Sequence, residues 1–290
     1  MLIIKLDKFY SFLFICMIVS ISLVFAIKAE KKDSAVFSQN SLKVPVIMYH
    51  HVTKDKTKAG NYTVTTEELE NDMKYILFKG YTAVSVSELI DYVYKGKNLP
   101  EKSIVITFDD GFESYKELAL PIFEKYNIKS SVFIIGVTAD LYSRVSDHNL
   151  NYSNLNWEAI SQLQNNPLCE VHSHTYDLHH NEKGERKGMS RLSGESNSIY
   201  ENVISSDLTK LQKMFEDKSL KVPTAIAYPY GAYDSYTKNI VKNIGFKVSF
   251  TCESRTNKLT QGDIDCLYNM GRFNRESGIR PDVFFKKILI

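Results

Sequence analysis

Two adjacent carboxylates and a dense run of imidazoles are the groups in this sequence best suited to chemistry. Asp109 and Asp110 stand together after the apolar and β-branched residues 104–108, with Gly111 directly behind them. Carboxylates held this close raise each other's pKa unless a cation lies between them, so the pair points to a metal or to acid–base work. A plain helix cap is the competing reading, because Asp serves well at a helix start. Four of the seven histidines, His172, His174, His179 and His180, fall within residues 170–180. His174 and His179 are separated by about 140° on an ideal helix, so they converge only if the chain turns between them. A carboxylate with two imidazoles is a common donor set for Zn2+ and related divalent ions, leaving positions open for water and substrate. His180 and His172 also fit a polar surface cluster.

These groups need a scaffold, and the hydrophobic pattern supplies one. Residues 44–49, 82–86, 104–108, 131–135, 169–174, 225–228, 247–251 and 267–270 read as strands. Between them, residues 65–79, the stretch after Ser87, and residues 115–126, 157–164, 199–215 and 235–244 carry helical spacing, with Pro121 restarting or kinking the third. Residues 137–156 and 181–197 are polar without a period and read as long loops. Alternating strands and helices imply parallel βα units. Seven or eight such units predict an α/β fold, a distorted (β/α) barrel of about seven strands. In such barrels the functional groups sit at the C-terminal strand ends. His50, Asp109, Asp110, His174, Tyr230 and Arg272 all fall at or just after predicted strand ends.

A net charge of +2 with no long basic block argues against a nucleic-acid partner. The first residues differ from the rest. Residues 9–27 form an almost unbroken apolar run behind Lys5 and Lys8, long enough to span a bilayer with its basic flank inside. Residues 1–27 are therefore expected to be a membrane anchor, with a cleavable signal as the alternative, residues 28–43 a polar linker, and residues 44–290 the catalytic domain. The domain is expected at the extracellular face of the membrane, or secreted if the segment is cleaved. Cys169, Cys252 and Cys266 lie in the exported part, where a Cys252–Cys266 bridge is an option.

Thr107-Phe108-Asp109-Asp110-Gly111 together with His174-Thr175-Tyr176-Asp177-Leu178-His179 resembles the polysaccharide deacetylases, carbohydrate esterase family 4 with its NodB-type domain. Residues 121–128, Tyr228-Pro229-Tyr230-Gly231 and Ile244-Gly245-Phe246 extend the likeness over about residues 44–272. The resemblance implies a metal-dependent hydrolase that removes N-acetyl groups, or O-acetyl groups in some branches, from an acetylated glycan polymer. It implies Asp109 as general base, Asp110, His174 and His179 as ligands of a divalent metal, and the Tyr230 backbone N–H as an oxyanion donor. A metal-bound water would be the nucleophile, with Zn2+ the first choice of metal and Co2+, Ni2+ or Mn2+ the alternatives. Two departures stand out. Ala227 occupies the position where the family commonly has an orienting Arg, and no histidine follows His180 to serve as the late catalytic acid. Met48-Tyr49-His50 instead resembles the branch that deacetylates poly-N-acetylglucosamine, which nominates His50 as the acid. Arg272 is the candidate for the missing Arg, against a reading as an ordinary surface arginine.

Two other functions compete. A glycoside hydrolase on a barrel would place two carboxyls about 5–10 Å apart across a bond, which adjacent aspartates do not easily do, and it leaves the histidines unexplained. A non-catalytic cell-wall glycan-binding module would need neither the metal set nor the base.

Overall fold

The computed structural model describes residues 41–182 and 186–289. Seven parallel strands form the central sheet: β1 (Val46–Tyr49), β2 (Ser103–Phe108), β3 (Ser130–Ile134), β4 (Cys169–Ser173), β5 (Ala225–Ala227), β6 (Val248–Phe250) and β7 (Phe273–Asn274), in the spatial order β6-β5-β4-β3-β2-β1-β7. β7 pairs with β1, while Met270, just ahead of β7, bridges in parallel to Phe250 of β6. One short segment thus reaches both edges of the sheet and gives the curvature of a distorted (β/α) barrel.

Strand alternation sorts the side chains. Val46, Val105, Phe133, Ala225, Ala227, Val248 and Phe250 pack together inside the curve. Ile47, Tyr49, Ile106, Phe108, Val132 and Ile134 face outward and pack with helical residues such as Leu69, Met73, Phe123 and Leu211. The helices are α1 (Thr66–Phe78), α2 (Val86–Lys95), α3 (Leu120–Tyr126), α4 (Gly136–Tyr142), α5 (Trp157–Gln164), α6 (Asn197–Asp217) and α7 (Thr237–Ile244). α1 and α2 begin with reciprocal capping boxes, Thr65 with Glu68 and Ser85 with Glu88, which satisfy amides that a helix start leaves unbonded.

Several expectations need correction. Residues 136–142 are helical, where the polar composition predicts loop: they are only the N-terminal turns of that stretch, and Val137 N–H and Gly136 N–H are bonded to the carbonyls of Tyr176 and Thr175. Pro121 restarts the helix, one of its two expected roles. A wider π-type turn at Tyr115–Ala119 precedes α3, and Pro121 sits in its first turn, where it costs no hydrogen bond. The last strand is at Phe273–Asn274 and not at 267–270, where Ile264–Leu267 forms a 3₁₀ turn. Cys252 and Cys266 are free thiols. The expected anchor at residues 1–27 and all but the last residues of the 28–43 linker lie outside the described residues. Among the described residues no helix is long and apolar enough to cross a membrane.

Candidate active site

β2 delivers Thr107 and Asp109 to the inner side, and the chain then turns sharply. Asp110 has φ 68°, left-handed backbone that a non-glycine residue adopts only at a cost on the order of 1–3 kcal/mol. Asn154 holds it there, its Nδ2 donating to the Asp110 carbonyl at 2.6 Å. Gly111 follows at φ 67°, and a Cβ on it would press on Ile134 at 3.0 Å. Adjacent aspartates therefore face different partners.

Asp109 is 2% exposed, and Arg272, fully buried, grips it with both ends of its fork: Nη1 to Oδ1 at 2.7 Å and Nη2 to Oδ2 at 2.6 Å. Arg272 also donates from Nε to the Thr251 carbonyl at 3.0 Å, which fixes the guanidinium plane. Burial works to raise the Asp109 pKa, but the Arg272 guanidinium and the nearby imidazoles outweigh it and hold the carboxyl below its ordinary value. The reading of Arg272 as a surface arginine is overturned. It enters the barrel from the segment that joins the sheet edges, and so reaches Asp109 from another strand than the family's Arg position, now Ala227.

Ala227 has a different use. Its carbonyl lies 2.8 Å from His174 Nδ1, which must carry the proton, so His174 Nε2 keeps its lone pair. That Nε2 lies 3.4 Å from Asp110 Oδ1, and His179 Nε2 lies 3.2 Å from the same oxygen. Asp110 Oδ1 is buried and has no hydrogen-bond partner among the described residues. One donor atom from each of Asp110, His174 and His179 lies within 4.8 Å of the other two. A buried, unbonded carboxylate oxygen beside an imidazole whose lone pair is turned toward it fits a divalent cation and wastes free energy otherwise. Burial opposes ionisation of Asp110, but imidazoles protonated at Nε2 would outweigh it and hold the carboxyl well below the usual range, the place a cation takes when Nε2 keeps its lone pair.

His179 is oriented by a group that sequence reasoning assigned elsewhere. The Tyr230 hydroxyl lies 3.1 Å from His179 Nδ1, and the two rings lie tilted by 37° with centroids 4.5 Å apart. Tyr230 has φ 58° in the turn at Pro229–Gly231. The N–H groups of Gly231 and Ala232 donate to the carbonyls of Tyr228 and Pro229, whereas Tyr230 N–H has no acceptor among the described residues. The side-chain role was invisible in the sequence because it depends on which way this turn folds.

The histidine doublet is resolved by parity. Val46 and Met48 face inward, and the next inward position is His50, in register beside Asp109, whose N–H donates to the Tyr49 carbonyl. His50 Nδ1 is buried without a partner among the described residues, and the ring sits edge-on to Tyr62 at 5.0 Å. Burial lowers its pKa, although Asp109 and Asp110 pull the other way. His51 points away, its Nε2 2.7 Å from the Leu150 carbonyl and its ring against Phe112. His172 lies deeper in the barrel, paired with Glu170 at 3.2 Å, and His180 pairs with Asp177 outside the donor set.

An oriented carboxylate, a group of three possible metal donors, a free backbone N–H and an inward imidazole thus gather at one barrel end. The model of the polysaccharide deacetylase family matches residues 96–249, and the chain belongs to that family. It is 29% identical over 196 residues to the poly-beta-1,6-N-acetyl-D-glucosamine N-deacetylase of Staphylococcus aureus, covering 67% of this chain and 63% of that relative. IcaB from Ammonifex degensii superposes with a TM-score of 0.68 at 26% identity, over 86% of this chain and 97% of that one. A de-N-acetylase from Aggregatibacter actinomycetemcomitans shares the fold, with a TM-score of 0.69 at 24% identity over 85% of this chain and 100% of that one.

Proposed function

We propose that this chain is an exported, metal-dependent N-deacetylase acting on an amino-sugar polymer of the poly-N-acetylglucosamine type. The observation that carries the reading is the division of the aspartates: Asp109 ion-paired to Arg272, Asp110 left unbonded between two imidazoles. An acetamide is a poor electrophile, so its hydrolysis needs an activated water, a held oxyanion and a proton for the departing amine. A divalent cation at Asp110, His174 and His179, Zn2+ before Co2+, Ni2+ or Mn2+, supplies Lewis acidity that acidifies water and polarises the carbonyl. Asp109, kept ionised and aimed by Arg272, takes the proton of the attacking water. The free Tyr230 N–H donates to the oxygen on which negative charge develops. His50, facing the site with its buried Nδ1 unpartnered among the described residues, gives its proton to the leaving nitrogen. The products are acetate and a free amino sugar.

The substrate class is supported by the names of the Staphylococcus aureus relative and of IcaB, together with the Met48-Tyr49-His50 opening. The extracellular placement and membrane attachment rest on the apolar run at residues 9–27. The test is acetate release from poly-β-1,6-N-acetylglucosamine and from peptidoglycan, with and without chelator. Chelator-sensitive acetate from the first substrate without new reducing ends is expected; new reducing ends would make the chain a glycosidase. Full-length protein should also stay with membranes after a high-salt wash, because salt does not screen apolar insertion. Recovery of the protein in the wash would remove the anchor.

A further inference from the structure

His174 and His179 are held unequally. His174 extends directly from β4 and is pinned to the Ala227 carbonyl, whereas His179 hangs five residues further on, beyond a turn. What orients its ring is the hydroxyl of Tyr230, a residue 39% exposed. The distance between the two imidazoles therefore depends on the turn at residues 175–178. Thr175 opens it with φ 73°, a conformation that a β-branched residue adopts only under constraint.

The constraint comes from two sides. The Gly136 and Val137 amides at the start of α4 donate to the carbonyls of Thr175 and Tyr176 at 3.1 and 2.8 Å. From α6, Asp207 accepts the backbone N–H of Tyr176 at Oδ1, 2.8 Å, and of Asp177 at Oδ2, 2.7 Å. One carboxylate thus spans two consecutive amides. We propose that Asp207 is the positioning residue of the cation site, clamping the turn so that His174 and His179 stand at chelating distance. It touches neither imidazole and acts only through the backbone between them.

Its environment agrees with that role. Burial pushes the Asp207 carboxyl up to about 6, against the pull of the two amides. A carboxylate kept at this solvation cost, serving a turn and no charged partner in contact, is worth keeping where the turn has to be exact. A second carboxylate in the neighbourhood supplies a control. Asp140 accepts from the Tyr176 hydroxyl at 3.1 Å and from Trp157 Nε1 at 2.9 Å, so it holds the side chain of the turn and not its backbone.

The inference rests on the cation reading above, and the experiment separates the two. Co2+ affinity of the full chain is measured by chelator competition at pH 7.5, where Asp207 is ionised, and the visible spectrum of the Co2+ form reports ligand geometry. Asp207→Ala and Asp207→Asn should weaken binding by about 10–100-fold, the usual loss for an outer partner of a metal ligand, and should alter the spectrum at saturating Co2+. Asp140→Asn should bind as wild type does. Wild-type affinity and spectrum in Asp207→Asn would overturn the inference, as would an equal loss in Asp140→Asn, which would mean that any loosening of this region suffices. If Asp207→Ala does not fold, the near-isosteric Asp207→Asn decides. A wild-type chain that binds no Co2+ would remove the cation site and this inference with it. One that binds Co2+ but frees no acetate from any glycan would remove only the substrate reading.

Discussion

Arg272 and Arg275 lie on the same short segment, both are fully buried, and each grips an aspartate with two guanidinium nitrogens. The aspartates fare differently. Each Asp109 oxygen accepts one bond from Arg272, and the carboxyl is held below its ordinary pKa. Asp72 Oδ2 accepts from both Arg275 Nε at 2.7 Å and the Tyr49 hydroxyl at 2.9 Å, yet burial leaves its pKa raised. Arg275 is also divided, since it donates to the carbonyls of Glu276 and Ile279 and so ties the following segment to α1. Imidazoles stand near Asp109 and add to the pull of Arg272, while Glu68 near Asp72 works against Arg275. An identical pair of residue types thus holds a carboxyl charged at the barrel mouth in one place and makes a strut in the other. Neighbouring charge and spare lone pairs decide which.

The sharpest way to break this contrast is to neutralise each carboxyl in turn. Asp109→Asn should retain Co2+ and lower kcat by up to about 10⁴-fold, the upper span for a proton-transfer group. Asp72→Asn should leave kcat per folded molecule unchanged; a comparable loss there would erase the distinction. Next in size, His50→Ala in the metal-loaded protein should lower kcat by about 10²–10³-fold and flatten the alkaline limb of the pH–rate profile. Because burial lowers the His50 pKa, that limb should begin below the ordinary histidine value of about 6.5. Wild-type turnover in His50→Ala with collapse in His51→Ala would move the role to the neighbour.

Arg275→Ala should cost about 3–5 kcal/mol of stability, as expected when a buried carboxylate loses its partner. The Asp72 pKa is already raised in the folded state and would rise further, so the unfolded state releases this proton first. The mutant's deficit should therefore grow as pH climbs from the wild-type folded value, which is already above the ordinary carboxylate one, through the mutant's higher folded value. Denaturant midpoints at pH 5 and pH 8 test this, and equal deficits would show that Asp72 is not the group left stranded. The smallest effect should come from Tyr230→Phe. Losing one hydrogen bond to His179 is worth about 0.5–1.5 kcal/mol, or roughly 2–10-fold in Co2+ affinity. No change would leave the tilted ring contact alone to orient that imidazole.

The Asp109-Asp110-Gly111 turn and the His174 and His179 pair were legible because strand ends and residue types carry them locally. Alternation along β1 placed His50 on one of two faces, but strands covered on both sides do not say which face is inside, so the pairing with β2 was needed. Arg272 could be located at a strand end, yet its fork onto Asp109 is a contact across 163 positions that no local pattern encodes. The same holds for Asp207, which accepts from backbone amides and so leaves no mark in composition. The α4 helix was missed because its start is fixed by tertiary bonds to the residue 175–176 carbonyls rather than by a cap.

The stretch from Met270 to Arg275 bridges both sheet edges and carries the cation that charges Asp109. A ribosome makes that stretch after every other strand of the barrel. A growing chain would therefore hold Asp110, His174 and His179 well before it holds the guanidinium that keeps Asp109 charged. That guanidinium arrives in the same event that closes the sheet.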